Sequence, residues 1–200
     1  MPNRTIALAI ALCLLMPACS RRDFLTRAMA GELIAASEAF KTPQQFFMRT
    51  GITSNREFSS PEYLVLQRRG WITGVNVACT PDVSPPPCWD VALTPIGVET
   101  FRELIPADAK SRQYFPIPTA HRELVTVTGI TKNDNLADVD FTWHWTPTNE
   151  VGAALVPGGV SFQSTVGFKH YDDGWRLVEG TASKSNQNLD DALKAAEPAR

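Results

Sequence analysis

Two acids and a histidine share one side of the most regular stretch of the chain, the ten residues from 137 to 146. These are Asp138, Asp140 and His144. An imidazole beside a carboxylate can act as a general base, and two histidines with a carboxylate can bind zinc, with His170 as the second histidine. Residues four apart on a strand are separated by about 13 Å, so Asp140 cannot bond directly to His144. We therefore predict no catalytic residue, metal site or cofactor here, and interpret this face as solvated.

The other side of the same stretch is aromatic and apolar, ending in Trp143 and Trp145. Because the alternation with polar residues is so regular, we expect a strand with the two tryptophans in the core. The alternative is an aromatic binding surface, since exposed tryptophans anchor ligands and partners. In that case Trp143, Trp145, His144 and Asp140 would form the binding surface.

Cys79 and Cys88 are predicted to form a disulfide, because the export signal described next implies an oxidising compartment. Their connecting segment, 80–87, contains four prolines and cannot form a helix. Closing such a loop stabilises a fold by roughly 2.5–3 kcal/mol in the chain-entropy model. A redox or metal-binding pair is disfavoured because the sequence offers neither a Cys-x-x-Cys spacing nor a neighbouring histidine.

The N-terminus has the pattern of an export signal. A short positive start ending at Arg4 precedes ten apolar residues, Ile6 to Leu15. Ten residues rise only about 15 Å as a helix, half of the roughly 30 Å hydrocarbon layer, so a membrane span is excluded for this run.

The residues that follow, Leu14-Leu15-Met16-Pro17-Ala18-Cys19, resemble the lipobox of bacterial lipoproteins. The resemblance implies removal of residues 1–18 and fatty acylation of Cys19, which attaches the protein to a membrane. Ser20 follows the cysteine in place of a retention aspartate, which favours the outer membrane, facing the periplasm. The alternative is an ordinary secretory signal that leaves Cys19 a plain thiol.

Composition excludes several classes of protein. The chain has 200 residues, 44% of them hydrophobic, which is typical of a globular fold. With 19 Lys and Arg against 21 Asp and Glu, it is not basic enough for a nucleic-acid binder. It also lacks the phosphate-binding glycine loop, the nucleophile elbow and the zinc-protease helix motif.

Periodicity and turn residues predict the elements of the N-terminal region, 19–108. Pairing its two long strands would bring Cys79 and Cys88 together and give a disulfide-closed hairpin. The predicted elements are a helix at 23–40, a short strand at 45–50, a polar turn region at 51–59, a helix at 60–69, strands at 71–77 and 89–93, and a helix from Thr94 to Leu104.

Part of this region resembles a winged-helix domain. The residues that carry the resemblance are Leu66-Gln67-Arg68-Arg69-Gly70-Trp71-Ile72 and Val91-Ala92-Leu93-Thr94-Pro95-Ile96-Gly97. Winged helices usually bind DNA, but the basic residues here are few, mainly Arg68, Arg69 and Arg102. We therefore expect a structural or protein-contacting role for this unit.

The C-terminal region, 119–180, is predicted to be an antiparallel sheet. The predicted strands are 124–130, 137–146, 160–171 and 175–179, with a turn at 133–135 and a loop at 147–159. His121 is assigned to a linker before the sheet. Residues 181–200 are predicted to be a mobile tail that allows one short helix after Asn188.

The final hairpin, Tyr171-Asp172-Asp173-Gly174-Trp175-Arg176-Leu177, is similar to the last strands of cystatin-like and nuclear-transport-factor-like folds. The similarity implies a curved sheet that wraps a helix and often lines a ligand pocket. The overall prediction is an α+β fold, with helices and a disulfide-closed hairpin followed by an antiparallel sheet whose curvature is left open. The predicted function is a lipid-anchored, non-enzymatic interaction protein of the cell envelope. The alternatives, in order, are a small-molecule-binding pocket protein and an enzyme.

Overall fold

A computed structural model describes residues 24–83, 85–105, 114–178 and 188–197. It confirms the α+β prediction, with short helices and a curled antiparallel sheet. The predicted signal segment 1–18 and the predicted lipidation site Cys19 lie outside the described residues. So does half of the predicted tail, 181–187 and 198–200.

The described helices are all short, with nine residues at most, whereas three strands of the C-terminal half are long. The helices are α1 (Arg27–Ala35), α2 (Glu38–Lys41), α3 (Asn55–Phe58), α4 (Pro61–Arg68), α5 (Pro95–Phe101), α6 (Glu150–Leu155) and α7 (Leu189–Ala196). The strands are β1 (Gln44–Arg49), β2 (Gly51–Ser54), β3 (Ile72–Val77), β4 (Cys88–Leu93), β5 (Tyr114–Asn133), β6 (Leu136–Pro147), β7 (Ser161–Tyr171) and β8 (Gly174–Leu177). Among these described elements, none of the helices has the length and apolar character that crossing a membrane requires.

The elements form two sheets and two compact units. The strand orders are β1-β5-β6-β7-β8 in one sheet and β2-β4-β3 in the other. Unit 1 contains the described residues of 1–33, 127–141 and 164–200, and unit 2 those of 34–126 and 142–163. Strands β5, β6 and β7 contribute residues to both units.

Unit 2 contains the three-stranded sheet and a shared hydrophobic core. Side-chain caps start α3, α4 and α5. Ser54 accepts from the Glu57 backbone N–H, Ser60 from Tyr63 and Thr94 from Gly97. The core residues come from most of the elements of this unit. They are Met48, Phe58, Tyr63, Leu66, Trp71, Ile72, Val91, Phe101, Phe115, Ile117 and Val151.

The end of β1 is closed by a buried tyrosine. The Tyr63 hydroxyl accepts a hydrogen bond from the Arg49 backbone N–H (2.7 Å) and donates one to the Arg49 carbonyl (2.9 Å). Burial raises the pKa of this hydroxyl, so it stays protonated and keeps its donor. Both outward backbone groups of Arg49 are therefore satisfied by one side chain.

The prediction of a polar turn region at 51–59 is wrong. Residues 51–54 form strand β2, which pairs with β4 from Gly51↔Val91 to Ser54↔Cys88, and residues 55–58 form helix α3. The segment is polar overall, but Phe58 is buried in the core and Ser54 caps the helix. Tertiary pairing with β4 decides the structure of a segment whose own pattern is too short to predict it.

The predicted helix at 23–40 is interrupted. Helix α1 ends at Ala35 and α2 starts at Glu38, with Ser37 in an extended conformation between them. The Ser37 hydroxyl donates to the Ile34 carbonyl at 2.6 Å, in competition with the helical backbone. Helix α5 likewise ends at Phe101, one turn before the predicted Leu104.

Strand β5 starts earlier than predicted, and the assignment of His121 to a linker is wrong. The strand begins at Tyr114 and runs through Pro116, Pro118 and His121. It has 20 residues and β6 has 12, so the start of β5 extends beyond β6. There it pairs with β1, Gln45↔Pro118 and Phe47↔Pro116, and this one-sided pairing tolerates residues without an N–H.

The predicted loop at 147–159 contains helix α6. Asn149 caps it, with its side-chain oxygen accepting from the Gly152 N–H at 2.8 Å. Val151 and Gly152 are buried, and a Cβ at Gly152 would lie 1.8 Å from the Thr119 carbonyl oxygen. Only glycine allows this close approach between α6 and β5.

Unit 1 is completed by hairpins and a C-terminal helix. Asp134 has φ +53° in the predicted turn between β5 and β6, and β7 pairs with β8 from Phe168↔Leu177 to Tyr171↔Gly174. Helix α7 lies where the sequence allowed one short helix, and it buries Leu189, Ala192 and Leu193. The Ser164 hydroxyl of β7 donates to the Ala192 carbonyl at 3.1 Å, which ties this helix to the sheet.

Candidate functional site

The two faces of β6 separate the predicted site residues. Trp143 and Trp145 are buried, whereas Asp140 is exposed and His144 is half-buried. The regular alternation predicted from the sequence is confirmed along the strand. The tryptophans and the polar pair thus point to opposite faces, so the four residues do not form one surface.

On the exposed face of unit 2, three side chains of β5 and β6 form a polar cluster: Glu123, His144 and Thr146. The Thr146 hydroxyl donates to Glu123 Oε2 at 2.6 Å, and His144 Nε2 lies 3.4 Å from the same oxygen. The histidine and glutamate side chains are 37% and 54% exposed, so the cluster faces solvent. It offers a carboxylate and an imidazole to a partner.

The environment of Glu123 favours its charged form. The hydrogen bond from Thr146 is the main cause that lowers the pKa of this carboxyl, and the nearby His144 and His121 lower it further. Slight desolvation acts in the opposite direction. The cluster therefore carries a carboxylate at neutral pH, which can accept hydrogen bonds from a donor-rich partner.

On the buried face, Arg122 lies against both tryptophans. Its guanidinium carbon is 4.5 Å from the centroid of the Trp145 ring and 5.3 Å from that of Trp143. Its Nη1 donates to the Ala39 carbonyl at 2.8 Å. The arginine thus connects α2 to β5 and covers the tryptophan rings with a cation.

Aromatic side chains cover the rest of Trp143. Its ring centroid lies 4.7 Å from that of Phe162, 5.6 Å from that of Trp145 and 6.4 Å from that of Phe40. The space beside the tryptophans is therefore filled by residues of the same unit. This packing agrees with the core interpretation of the two tryptophans.

Asp140 has its own partners in unit 1. Its Oδ1 accepts from the Thr165 hydroxyl at 2.6 Å, and a Cβ at Gly129 would come within 3.0 Å of its Oδ2. His170, the other histidine considered, has its ring centroid 5.0 Å from that of Trp175. Asp140, His144 and His170 thus have separate neighbours. In the part of the chain that the structure describes, no group of three or more His, Cys, Asp or Glu side chains could hold a metal ion.

The chain matches no protein-family model, no curated protein and no solved structure. Its function must therefore be inferred from its own residues.

The predicted Cys79–Cys88 disulfide is confirmed. The two Cα atoms are 5.2 Å apart, and Cys88 lies in β4 opposite Val77 of β3. Cys88 is fully buried, and the Pro87 carbonyl next to it accepts from the Asn55 N–H at 3.1 Å. The bridge fixes the connection between β3 and β4 to the middle strand of the three-stranded sheet.

A polar recess of about 280 Å³ lies in unit 2, at the end of α5. It contains none of the residues predicted for a site, and its Arg102 is paired with Glu99. Its lining residues are Glu99, Thr100, Arg102, Glu103, Leu104 and Asn149. Because Asn149 is already used as the cap of α6, the recess adds no free amide to a site.

Sequence reasoning missed Glu123, Thr146 and Arg122 as members of these clusters. The signal that could have found them is the turn at Asp134 and Asn135. Counting back from a two-residue turn places Glu123 opposite Thr146, with His144 two residues away on the same face.

Proposed function

We propose that this chain is an exported, lipid-anchored protein of the cell envelope that binds another envelope protein. Its anchor is the fatty-acylated Cys19, and its folded part faces the periplasm, with the outer membrane the favoured location. The observation that carries the proposal is the Cys79–Cys88 disulfide.

The disulfide supports export because such bonds persist in oxidising compartments and are rare in the cytosol. The apolar run Ile6 to Leu15 supplies a route to such a compartment, and the lipobox-like residues before Cys19 supply an anchor. One chain thus carries both a signal for leaving the cytosol and a bond suited to the destination.

The surface chemistry supports a binding role. The polar cluster of Glu123, His144 and Thr146 presents charged and hydrogen-bonding groups to solvent. Next to it on the same face of β5, Val125 is 52% exposed. A small apolar contact with a polar rim fits a protein partner better than it fits a small molecule.

The interior supports this role over a pocket lined by tryptophans. Trp143 and Trp145 are covered by Phe40, Phe162 and Arg122, so their rings face neighbours of the same chain. In this proposal the α4–β3–β4–α5 segment, with its resemblance to a winged helix, is a protein-contacting unit. Few basic residues in it are suited to phosphate contacts.

Cys19→Ser tests the anchor. We expect the variant to lose radiolabelled acyl incorporation and to move from the membrane fraction to the soluble periplasmic fraction. Cys13→Ala is the matched control because it removes a cysteine from the segment that is cleaved away. Unchanged membrane association of Cys19→Ser, or a Cys13→Ala variant with the same loss, would overturn the proposal.

A photo-crosslinking amino acid at Val125 tests the binding surface in intact envelopes. We expect a discrete protein adduct that weakens in the Glu123→Gln background, since that change removes the carboxylate of the polar cluster. Phe47, which is 49% exposed on β1 and lies outside the α4–β3–β4–α5 segment, is the matched control position. Equal adducts at both positions, or an adduct insensitive to Glu123→Gln, would contradict a partner bound at the polar cluster.

A further inference from the structure

The described chain starts with an exposed aromatic residue close to the anchor site. Phe24 is 67% exposed, and the Lys132 ammonium lies 5.6 Å from its ring centroid and 5.3 Å from that of Trp175. We propose that this end of unit 1 lies against the lipid bilayer, with Phe24 in the headgroup layer. The inference rests on the acylation of Cys19 proposed above.

The length of the connecting chain supports this placement. Phe24 follows Cys19 by five residues. Even a fully extended chain of five residues spans at most about 18 Å. The acylated cysteine lies at the membrane surface, and the polar layer on each side of a bilayer is roughly 5–8 Å thick. Phe24 and the side chains that contact it are therefore held near the bilayer.

Two hairpin turns lie at the same end of unit 1. The His170 backbone N–H donates to the Asn135 carbonyl at 2.7 Å, so the turn between β5 and β6 is adjacent to the end of β7. There Tyr171 is 42% exposed, with Lys169 and Arg176 each 5.3 Å from its ring centroid. This end thus exposes two aromatic rings, Phe24 and Tyr171, each in contact with a cation.

Aromatic rings and long cationic side chains are the residues that favour membrane interfaces. The charges of the described side chains around the two rings balance one another. Lys132, Lys169 and Arg176 are offset by the turn acids Asp134, Asp172 and Asp173, and Asp173 pairs with Arg176. The contact therefore depends on the aromatic rings and does not require anionic lipid.

Site-specific fluorescence on the acylated protein tests this orientation. In that protein residues 1–18 are absent, Cys19 is blocked by its acyl chain, and Cys79 and Cys88 are bonded, so an introduced cysteine is the only free thiol. Thr26→Cys and Asn133→Cys keep both aromatic rings and lie near Phe24 and next to Lys132, at exposed positions. Each would carry a polarity-sensitive dye, in vesicles of phosphatidylcholine with and without a spin-labelled lipid quencher. Thr128→Cys is the control, because it is exposed on β5 and about 13 Å along the strand from Lys132.

We expect the dyes at positions 26 and 133 to be quenched at least twofold more than the dye at 128, equally at low and high salt. Equal quenching at all three positions would overturn the inference. Quenching that requires phosphatidylglycerol and disappears in high salt would overturn the aromatic contact in favour of an electrostatic one. The intact mass of the protein distinguishes the two proposals. An unacylated Cys19 overturns both, whereas an acylated protein with no preferential quenching at 26 and 133 overturns this one alone.

Discussion

Loss of the Cys79–Cys88 cross-link should destabilise unit 2 by an amount that follows from the size of the closed loop. The two cysteines are nine positions apart. The chain-entropy relation gives about 2.6 kcal/mol at 25 °C for a loop of this size. For a protein of this length, each kcal/mol corresponds to a shift of roughly 2–4 °C, so we expect Tm to fall by about 5–10 °C.

Urea and thermal unfolding of the oxidised protein, the reduced protein and the Cys79→Ala/Cys88→Ala variant would measure this loss. Tryptophan fluorescence reports mainly on unit 2, which contains Trp71, Trp89, Trp143 and Trp145. The reduced protein isolates the cross-link because it keeps both sulfur atoms. The double variant should be less stable to unfolding than the reduced protein, because it also removes the buried Cys88 sulfur from its contacts.

Identical urea midpoints for the oxidised and reduced proteins would refute this reasoning. A loss well above about 5 kcal/mol on reduction would refute it as well, since loop closure cannot supply that much. In that case the bridge would have to hold together more of unit 2 than the β3–β4 connection.

Two further predictions concern the side chains around β5 and β6. Arg122→Ala should lower the free energy of unfolding by about 2–4 kcal/mol, because it removes two cation–π contacts and a charged hydrogen bond to the Ala39 carbonyl. Arg122→Lys should recover part of that loss. Arg68→Ala, on the exposed side of α4, is the control and should change the free energy of unfolding by less than about 0.5 kcal/mol. Equal urea midpoints for Arg122→Ala and the wild type would contradict the role given to Arg122. Glu123→Gln tests the lowered pKa of the Glu123 carboxyl. Because this pKa is lower in the folded protein than the ordinary value of 4.5, the charged carboxylate stabilises the fold above pH 4.5, and this stabilisation is lost as pH falls through the folded pKa. The difference in unfolding free energy between wild type and Glu123→Gln should therefore be small at pH 6 and should shrink as pH falls below 4.5. Glu103→Gln is the control for loss of one charge, and a difference that grows in acid would show the opposite sign.

The sequence predicted the elements whose signals are local. Alternation along 137–146 identified β6, and Ser60, Pro61 and Gly70 bounded helix α4 within two residues. The disulfide was predicted from the export signal, which implies an oxidising compartment, and from the spacing of the two cysteines, and it is confirmed. Each of these signals is a property of neighbouring residues, so no knowledge of the tertiary fold was needed.

The errors arose where a distant segment decides the structure. Residues 51–54 form strand β2 because they pair with β4. The first residues of β5 form a strand because they pair with β1. Helix α6 was missed because it lies in a segment rich in proline and glycine, from Pro147 to Gly159. Asn149 and Glu150 nevertheless give it a normal cap and first turn. In each case the local composition resembled a loop, and long-range pairing or packing outweighed it.

For the candidate site, the sequence predicted the residues on β6 but not their partners on the neighbouring strands. The sequence identified His144 and Asp140 as polar residues opposite the tryptophans, which the structure reproduces. It did not supply their partners, Glu123 and Thr165, because these come from neighbouring strands. Predicting cross-strand partners requires the pairing register of the two strands. That register is set by the length of the turn between them, which hydrophobic periodicity alone does not give.

The two prolines of β5 also restrict how β1 can align with it. Pairs in an antiparallel ladder alternate between hydrogen-bonded and non-hydrogen-bonded, and Pro116 and Pro118 have no N–H to donate. Their pairs with Phe47 and Gln45 must therefore be the non-bonded ones, which leaves Ile117 and Phe115 to exchange hydrogen bonds with Phe46 and Met48. If β5 were rotated so that these prolines faced β1, both would stand where donors are needed. The prolines thus decide which residues of β5 point their backbone groups at β1, and Phe115 and Ile117 are those residues.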